Sequence, residues 1–285
     1  MRMKRRDFFG TALAAGFATA ATNLRAQDEP PARGGRGAAP IPTYPAKVEN
    51  LFKSPDRYPN ALEATPEALW VADQVSERVL KMDWNTGKVL EDFIAEAHNT
   101  SGLAVGGGFL WIGCNGAGTA ASNRAFTRPF DKSYGEIVKC DMKTGKQVWG
   151  FRTPWGGTHG TVYDRATDKL WAVDPGQNLA VEMDPKDNLR ISRMVSISSG
   201  TAHGIELYDG ALWILYAADR IVKKHDLTSG RVLEIWTLGP SDPDPHGMCI
   251  HDGYVYSCDA GLGGGRTPSA GTVPQMIFRF PLKKM

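Results

Sequence analysis

Three histidines, each followed by glycine, carry the densest chemistry in this chain: His159-Gly160, His203-Gly204 and His246-Gly247. An imidazole can take or give a proton near neutral pH, and in its neutral form it ligates metals. Three of them meeting at one place would hold a divalent metal and leave a position open for water or substrate. Each His-Gly opens an apolar run that turns and returns through Leu170-Trp171, Leu212-Trp213 or Val255-Tyr256. Those return runs close on Asp174, Tyr216 and Asp259. Asp174 and Asp259 are then placed to accept the second ring N–H of His159 and His246, fixing tautomer and basicity, with Asp73 in the same role for its own unit. Glu206, three residues after His203, is a candidate acid, base or ligand, and Glu63 stands at the matching place in an earlier unit.

Whether these groups meet is decided by the elements that carry them. The stretch from His203 to Trp236 reads as four short strands, joined by Asp209-Gly210 and by Thr228-Ser229-Gly230. Four strands with tight turns make one β-propeller blade. Aligned on the aromatic return strand, five units appear, opening at Asn60, Ser101, His159, His203 and His246. Their return strands close on Asp73, Cys114, Asp174, Tyr216 and Asp259. The last unit stops after Met276 to Pro281, and its missing strand is expected from Lys47 to Phe52, which would close the ring and hide its edge. The fold class expected is therefore all-β: a single propeller of five four-stranded blades, with six blades the main alternative.

Strand direction places the openers and closers of all units on one end of the ring. Loops from second to third strand project there too, and two are long: Asn115 to Gly135, with Arg124 and Arg128, and Ala260 to Pro274, with Arg266. Arg128 and Arg266 are expected to hold an anionic substrate. Asn60, Trp155 in the loop before His159, and Tyr58 are the other expected substrate contacts. Trp70, Trp111, Trp171 and Trp213 share one blade position and read as core. A plainer use of the same histidines exists, because a polar residue followed by glycine also caps a strand entry and lets backbones approach closely. Asn60 and Ser101 at the same ring position show that the repeat does not require His.

The N-terminus reads as an export signal rather than fold. Lys4-Arg5-Arg6-Asp7-Phe8-Phe9 resembles a twin-arginine signal, followed by a small-residue apolar stretch too short for a membrane span, with cleavage expected after Ala26. Residues 27–45 read as a flexible linker and 46–285 as the propeller. Cleavage removes five basic residues and one acidic residue, so the formal charge falls from +2 to near −2. No basic stripe survives, which argues against nucleic acid as a partner; the signal implies a periplasmic or secreted protein, and a monomer is expected. Cys114, Cys140, Cys249 and Cys258 match no zinc spacing, and no disulfide pairing follows from the sequence.

The units from Tyr58-Pro59-Asn60-Ala61-Leu62 to Leu69-Trp70-Val71-Ala72-Asp73, and Pro245-His246-Gly247-Met248, resemble the superfamily of streptogramin B lyase, gluconolactonase-type and NHL-type propellers. The lyases of that group carry a metal and a catalytic His at the channel mouth, and the resemblance implies His203 and His246 in comparable positions, without a matching acidic motif. Cys140-Asp141-Met142-Lys143-Thr144-Gly145-Lys146-Gln147-Val148-Trp149 is similar to the quinoprotein dehydrogenase repeat, but it occurs once in full, and a quinone cofactor is not expected. The expected function is binding of a small molecule at a divalent metal held by His159, His203 and His246, with ester- or lactone-opening chemistry of the lyase or hydrolase kind. A non-catalytic ligand-binding or scaffolding propeller is the alternative.

Overall fold

The computed structural model describes residues 39–115, 134–260 and 275–283. The export signal, most of the linker, Arg124, Arg128 and Arg266 lie outside the described residues. No described helix is long and apolar enough to cross a membrane. Alternating apolar residues and positive-φ turn residues, such as Gly87, Gly145 and Gly230, divide the chain into hairpins. The strands assemble into five sheets.

Blade one is Pro59–Thr65, Ala68–Asp73, Arg78–Met82 and Val89–Ile94. Blade two is Thr100–Gly106, Phe109–Cys114, Glu136–Asp141 and Gln147–Arg152. Blade three is Thr161–Asp164, Lys169–Asp174, Leu179–Asp184 and Arg190–Ser196. Blade four is Ala202–Tyr208, Ala211–Tyr216, Ile221–Asp226 and Val232–Thr237. Blade five takes Pro245–His251, Tyr254–Asp259 and Met276–Pro281 from the C-terminal part, and its outer strand, Glu49–Lys53, from the N-terminal part. The molecule is thus a five-bladed β-propeller closed between the two ends of its chain.

One short strand departs from the sequence reading. Thr43–Pro45, assigned to the linker by its composition, pairs in parallel with Ile235–Thr237 as a fifth strand on blade four. Tyr44 packs on Trp236 with ring centroids 5.0 Å apart, so burying one aromatic holds a segment whose prolines and glycines alone suggest flexibility. The core lies between blades. Trp70, Trp111, Trp171 and Trp213 are all buried there, as their shared register implies.

Candidate functional site at the histidine end

The first strands do not run straight where the openers stand. The register slips between Pro59 and Ala61, Thr100 and Gly102, Ala202 and Ile205, and Pro245 and Met248. Such bulges turn a side chain out of the regular alternation, and here the residues within them are Asn60, Ser101, His203 and His246. In blade three His159-Gly160 precedes the strand, yet Gly160 N–H donates to the His203 carbonyl at 2.6 Å. The glycines explain how the five openers come so close. A Cβ on Gly102 would lie 2.3 Å from the His159 carbonyl oxygen, and one on Gly160 2.3 Å from that of His203. Inner strands of adjacent blades therefore touch backbone to backbone. The axis beneath the openers holds a void of about 10 Å³, close to the room one water needs.

The three imidazoles meet in a row. The His159 and His203 rings are 4.6 Å apart and tilted by 39°, and those of His203 and His246 are 5.0 Å apart and edge-on at 73°. His203 also places Nε2 3.3 Å from the Ser101 hydroxyl, and Asn60 Nδ2 is 3.4 Å from that same oxygen. All five openers thus belong to one connected cluster. Asn60 and Ser101 are each 1% exposed, His203 5% and His246 8%. Asn60 donates to Gln74 Oε1 at 2.9 Å and to the Thr100 carbonyl at 3.2 Å, while its own Oδ1 is buried without a hydrogen bond. Burial drops the His159 pKa to about 4, with His246 adding to the effect and the Ala202 carbonyl opposing it, so this imidazole is neutral at pH 7.

The acidic closers are not where the histidines would need them. Asp174 Oδ1 accepts from the N–H groups of Gly176 and Gln177, capping its own turn. His159 Nδ1 meets the Ala202 carbonyl at 3.0 Å instead. Asp259 accepts from Asp244 N–H at 3.1 Å, and His246 Nδ1 lies 3.4 Å from the Asp244 carbonyl. Asp73 repeats that arrangement, accepting from Tyr58 N–H and from Val75 and Ser76. Asp73 and Asp174 therefore tie the turns after their second strands, and Asp73 and Asp259 tie the residue two before the opener. This is repeat grammar, and backbone carbonyls meet the imidazoles of His159 and His246.

Other expected site residues lie elsewhere. Trp155 packs against Ile137 and Leu170 between blades two and three, and its N–H donates to Thr158 Oγ1 at 3.1 Å, so its ring belongs to the core. Half-buried Tyr58 enters the site through its backbone. Glu206 accepts from the N–H groups of Leu207 and Ile250, and its charged neighbours are Glu63 and Arg165 at the opposite end of the first strands. His225, on the third strand of blade four, is buried and bonded to Tyr216 and Gly230. Ser101 is the functional candidate that the sequence places at an opener but gives no chemistry. Its partner His203 lies two blades away.

The residue types suit a divalent metal, but their arrangement does not. The rings stand tilted and edge-on to one another, and among the described residues no three His, Cys, Asp or Glu side chains are grouped as a metal would require. The four cysteines are buried.

The fold shared with solved propellers is plain. Glutaminyl cyclase of Myxococcus xanthus is similar at a TM-score of 0.58, with 12% identity over 85% of this chain and 97% of that one. A luciferin-regenerating enzyme is similar at 0.51, with 12% identity over 83% and 95%. Virginiamycin B lyase from Staphylococcus aureus matches at 0.44, with 15% identity over 81% of this chain and 69% of its own. Enzymes are therefore among the structural neighbours, and at such identities what is shared is the fold. No protein-family model and no curated protein sequence matches the chain.

Proposed function

We propose that this is an exported propeller that binds a small ester or lactone at the histidine end and opens it by imidazole-assisted acyl transfer. The observation that carries the reading is the Ser101–His203 contact of 3.3 Å within a row of three imidazoles. A hydroxyl beside an imidazole is the pairing that activates an alcohol for attack, and such contacts are often slightly long without substrate. In the first step Ser101 Oγ attacks the carbonyl carbon while its proton passes to His203 Nε2. The C–O bond to the leaving oxygen breaks, and that oxygen takes the proton from His203. Water then attacks the acyl-serine by the same route and releases the acid. His159 and His246 flank His203, and the uncapped Asn60 Oδ1 is an acceptor for a substrate hydroxyl or amide.

These steps route both proton transfers through His203 and do not require the divalent ion suggested by residue type. Hydrolysis of p-nitrophenyl esters and of simple lactones by the purified protein is the test, with Ser101→Ala and His203→Ala beside the parent. Loss of turnover by about a hundredfold or more in both variants, with unchanged melting, is expected. A trapped acyl group on Ser101, seen by mass spectrometry, would place the nucleophile. Full activity in Ser101→Ala would remove Ser101 from the mechanism, and activity lost on chelation would restore the metal.

A further inference from the structure

Every blade carries the same cross-strand ladder on its outer half: an aromatic residue on the second strand, then one residue on each of the next two. In blade one Trp70 pairs with Lys81 and Lys81 with Glu91, and the ammonium lies 2.9 Å from the carboxylate and 5.4 Å from the Trp70 ring centre. Blade four repeats it with Trp213, Lys224 and Glu234, the ion pair being 3.9 Å long. Blade five uses Tyr256, Arg279 and Glu49, with an ion pair of 2.9 Å. Blade three reverses the charges, so that Glu182 and Arg193 pair at 2.8 Å over Trp171.

Blade two breaks the series. Trp111 pairs with Lys139, but opposite Lys139 stands Trp149 where each of the other blades has the opposite charge. The Lys139 ammonium rests 3.7 Å from the centre of the Phe109 ring and 5.1 Å from that of Trp111. Among the described residues no carboxylate reaches it within ion-pair distance. Beside it opens a cleft of about 300 Å³, lined by Trp111, Lys139, Val148, Trp149, Pro185 and Asn188. Aromatic faces stabilise a cation without neutralising it, so the ammonium keeps its affinity for an anion.

We propose that this cleft, where blade two meets blade three, binds a small aromatic carboxylate. The carboxylate would replace the missing ladder charge on Lys139, and the ring would stack on Trp149. Recognition needs both parts: a group that is only apolar leaves the ammonium unmatched, and an anion without a flat body leaves the indole uncovered. The volume admits one ring with a short acid, near the lower limit for ligand sites.

Benzoate is the probe, followed through the indole N–H resonances of the full chain by NMR, with benzyl alcohol as its neutral counterpart. Saturable benzoate binding is expected, with benzyl alcohol weaker by about tenfold, as loss of one charge-assisted contact implies. Trp149→Glu installs the carboxylate of the other blades and should abolish binding. Lys139→Gln should weaken it by about tenfold, and Lys81→Gln, the same change in blade one, should leave it unaltered. Equal affinity for the two probes, absence of saturable benzoate binding, or unchanged binding in Lys139→Gln would overturn the proposal. That last variant stands alone should Trp149→Glu fail to fold.

Discussion

The two ends of the inner strands bury ionisable groups in opposite ways. At one end burial pushes one imidazole toward the neutral base, that of His159 to about 4. At the other, burial pushes carboxylates toward the neutral acid: Glu206 rises to about 7, and Glu63, repelled by Glu206, rises well above the ordinary range. The histidine end is assembled from strand openings, held by bulges, and joined through Ser101 and Asn60. The carboxylate end is closed by Arg165 from the blade-three hairpin, which donates to Glu63 at 2.5 Å and to the carbonyls of Ala64 and Val105 at 3.1 and 3.0 Å. Desolvation is common to both. What differs is compensation: a full charge clamps one end, while neighbouring dipoles and rings surround the other.

That contrast can be broken most severely at the reactive end. His203→Ala should reduce ester turnover by about two orders of magnitude or more, read from kcat at saturating substrate, while the melting temperature stays near that of the parent. The next largest effect belongs to the clamp. Arg165→Ala should destabilise the fold by about 2–3 kcal/mol in urea unfolding at pH 7, because a buried carboxylate loses its partner. Glu63→Gln in the same chain should restore most of that loss; a double variant no more stable than Arg165→Ala would show that Arg165 acts by packing alone.

Acidity separates the ends more finely. With Glu206 near 7 in the folded chain and 4.5 as its ordinary value, the folded state holds an extra proton between those limits, so this group's contribution is present in acid and is lost as pH rises through 7. His159 has the reverse sign: near 4 when folded and 6.5 ordinarily, its contribution is present above 6.5 and is lost as pH falls through 4. Urea midpoints from pH 4.5 to 7.5 should therefore fall more steeply on acidification in Glu206→Gln and less steeply in His159→Asn. Identical slopes in both variants would mean that neither end governs the titration. The smallest effect is expected from Asp174→Asn: turnover within about twofold of the parent and a stability cost of about 1 kcal/mol, since the side chain caps a turn and does not touch His159.

The propeller was legible because its repeat is written in register: aromatic return strands, Gly turns and a final unit one strand short. The meeting of His159, His203 and His246 was legible for the same reason. What each histidine bonds was not. Spacing pairs His159 with Asp174 in one blade, whereas the chain satisfies Asp174 within its own turn and His159 from the next blade. Ser101 and His203, like Arg165 and Glu63, are 102 residues apart, and no local pattern signals such a partner. Thr43–Pro45 was hidden by composition, since its pairing depends on Trp236 far along the chain.

The outer strand of blade five comes from Glu49–Lys53 and its partner from Met276–Pro281. During synthesis the first of these emerges early and must wait, unpaired, while more than two hundred residues follow it from the ribosome. The ring can shut only once Met276–Pro281 has been made. A product stalled or clipped before Met276 would leave one strand unmatched and blade five half built, so the last pairing reports that synthesis has passed that point.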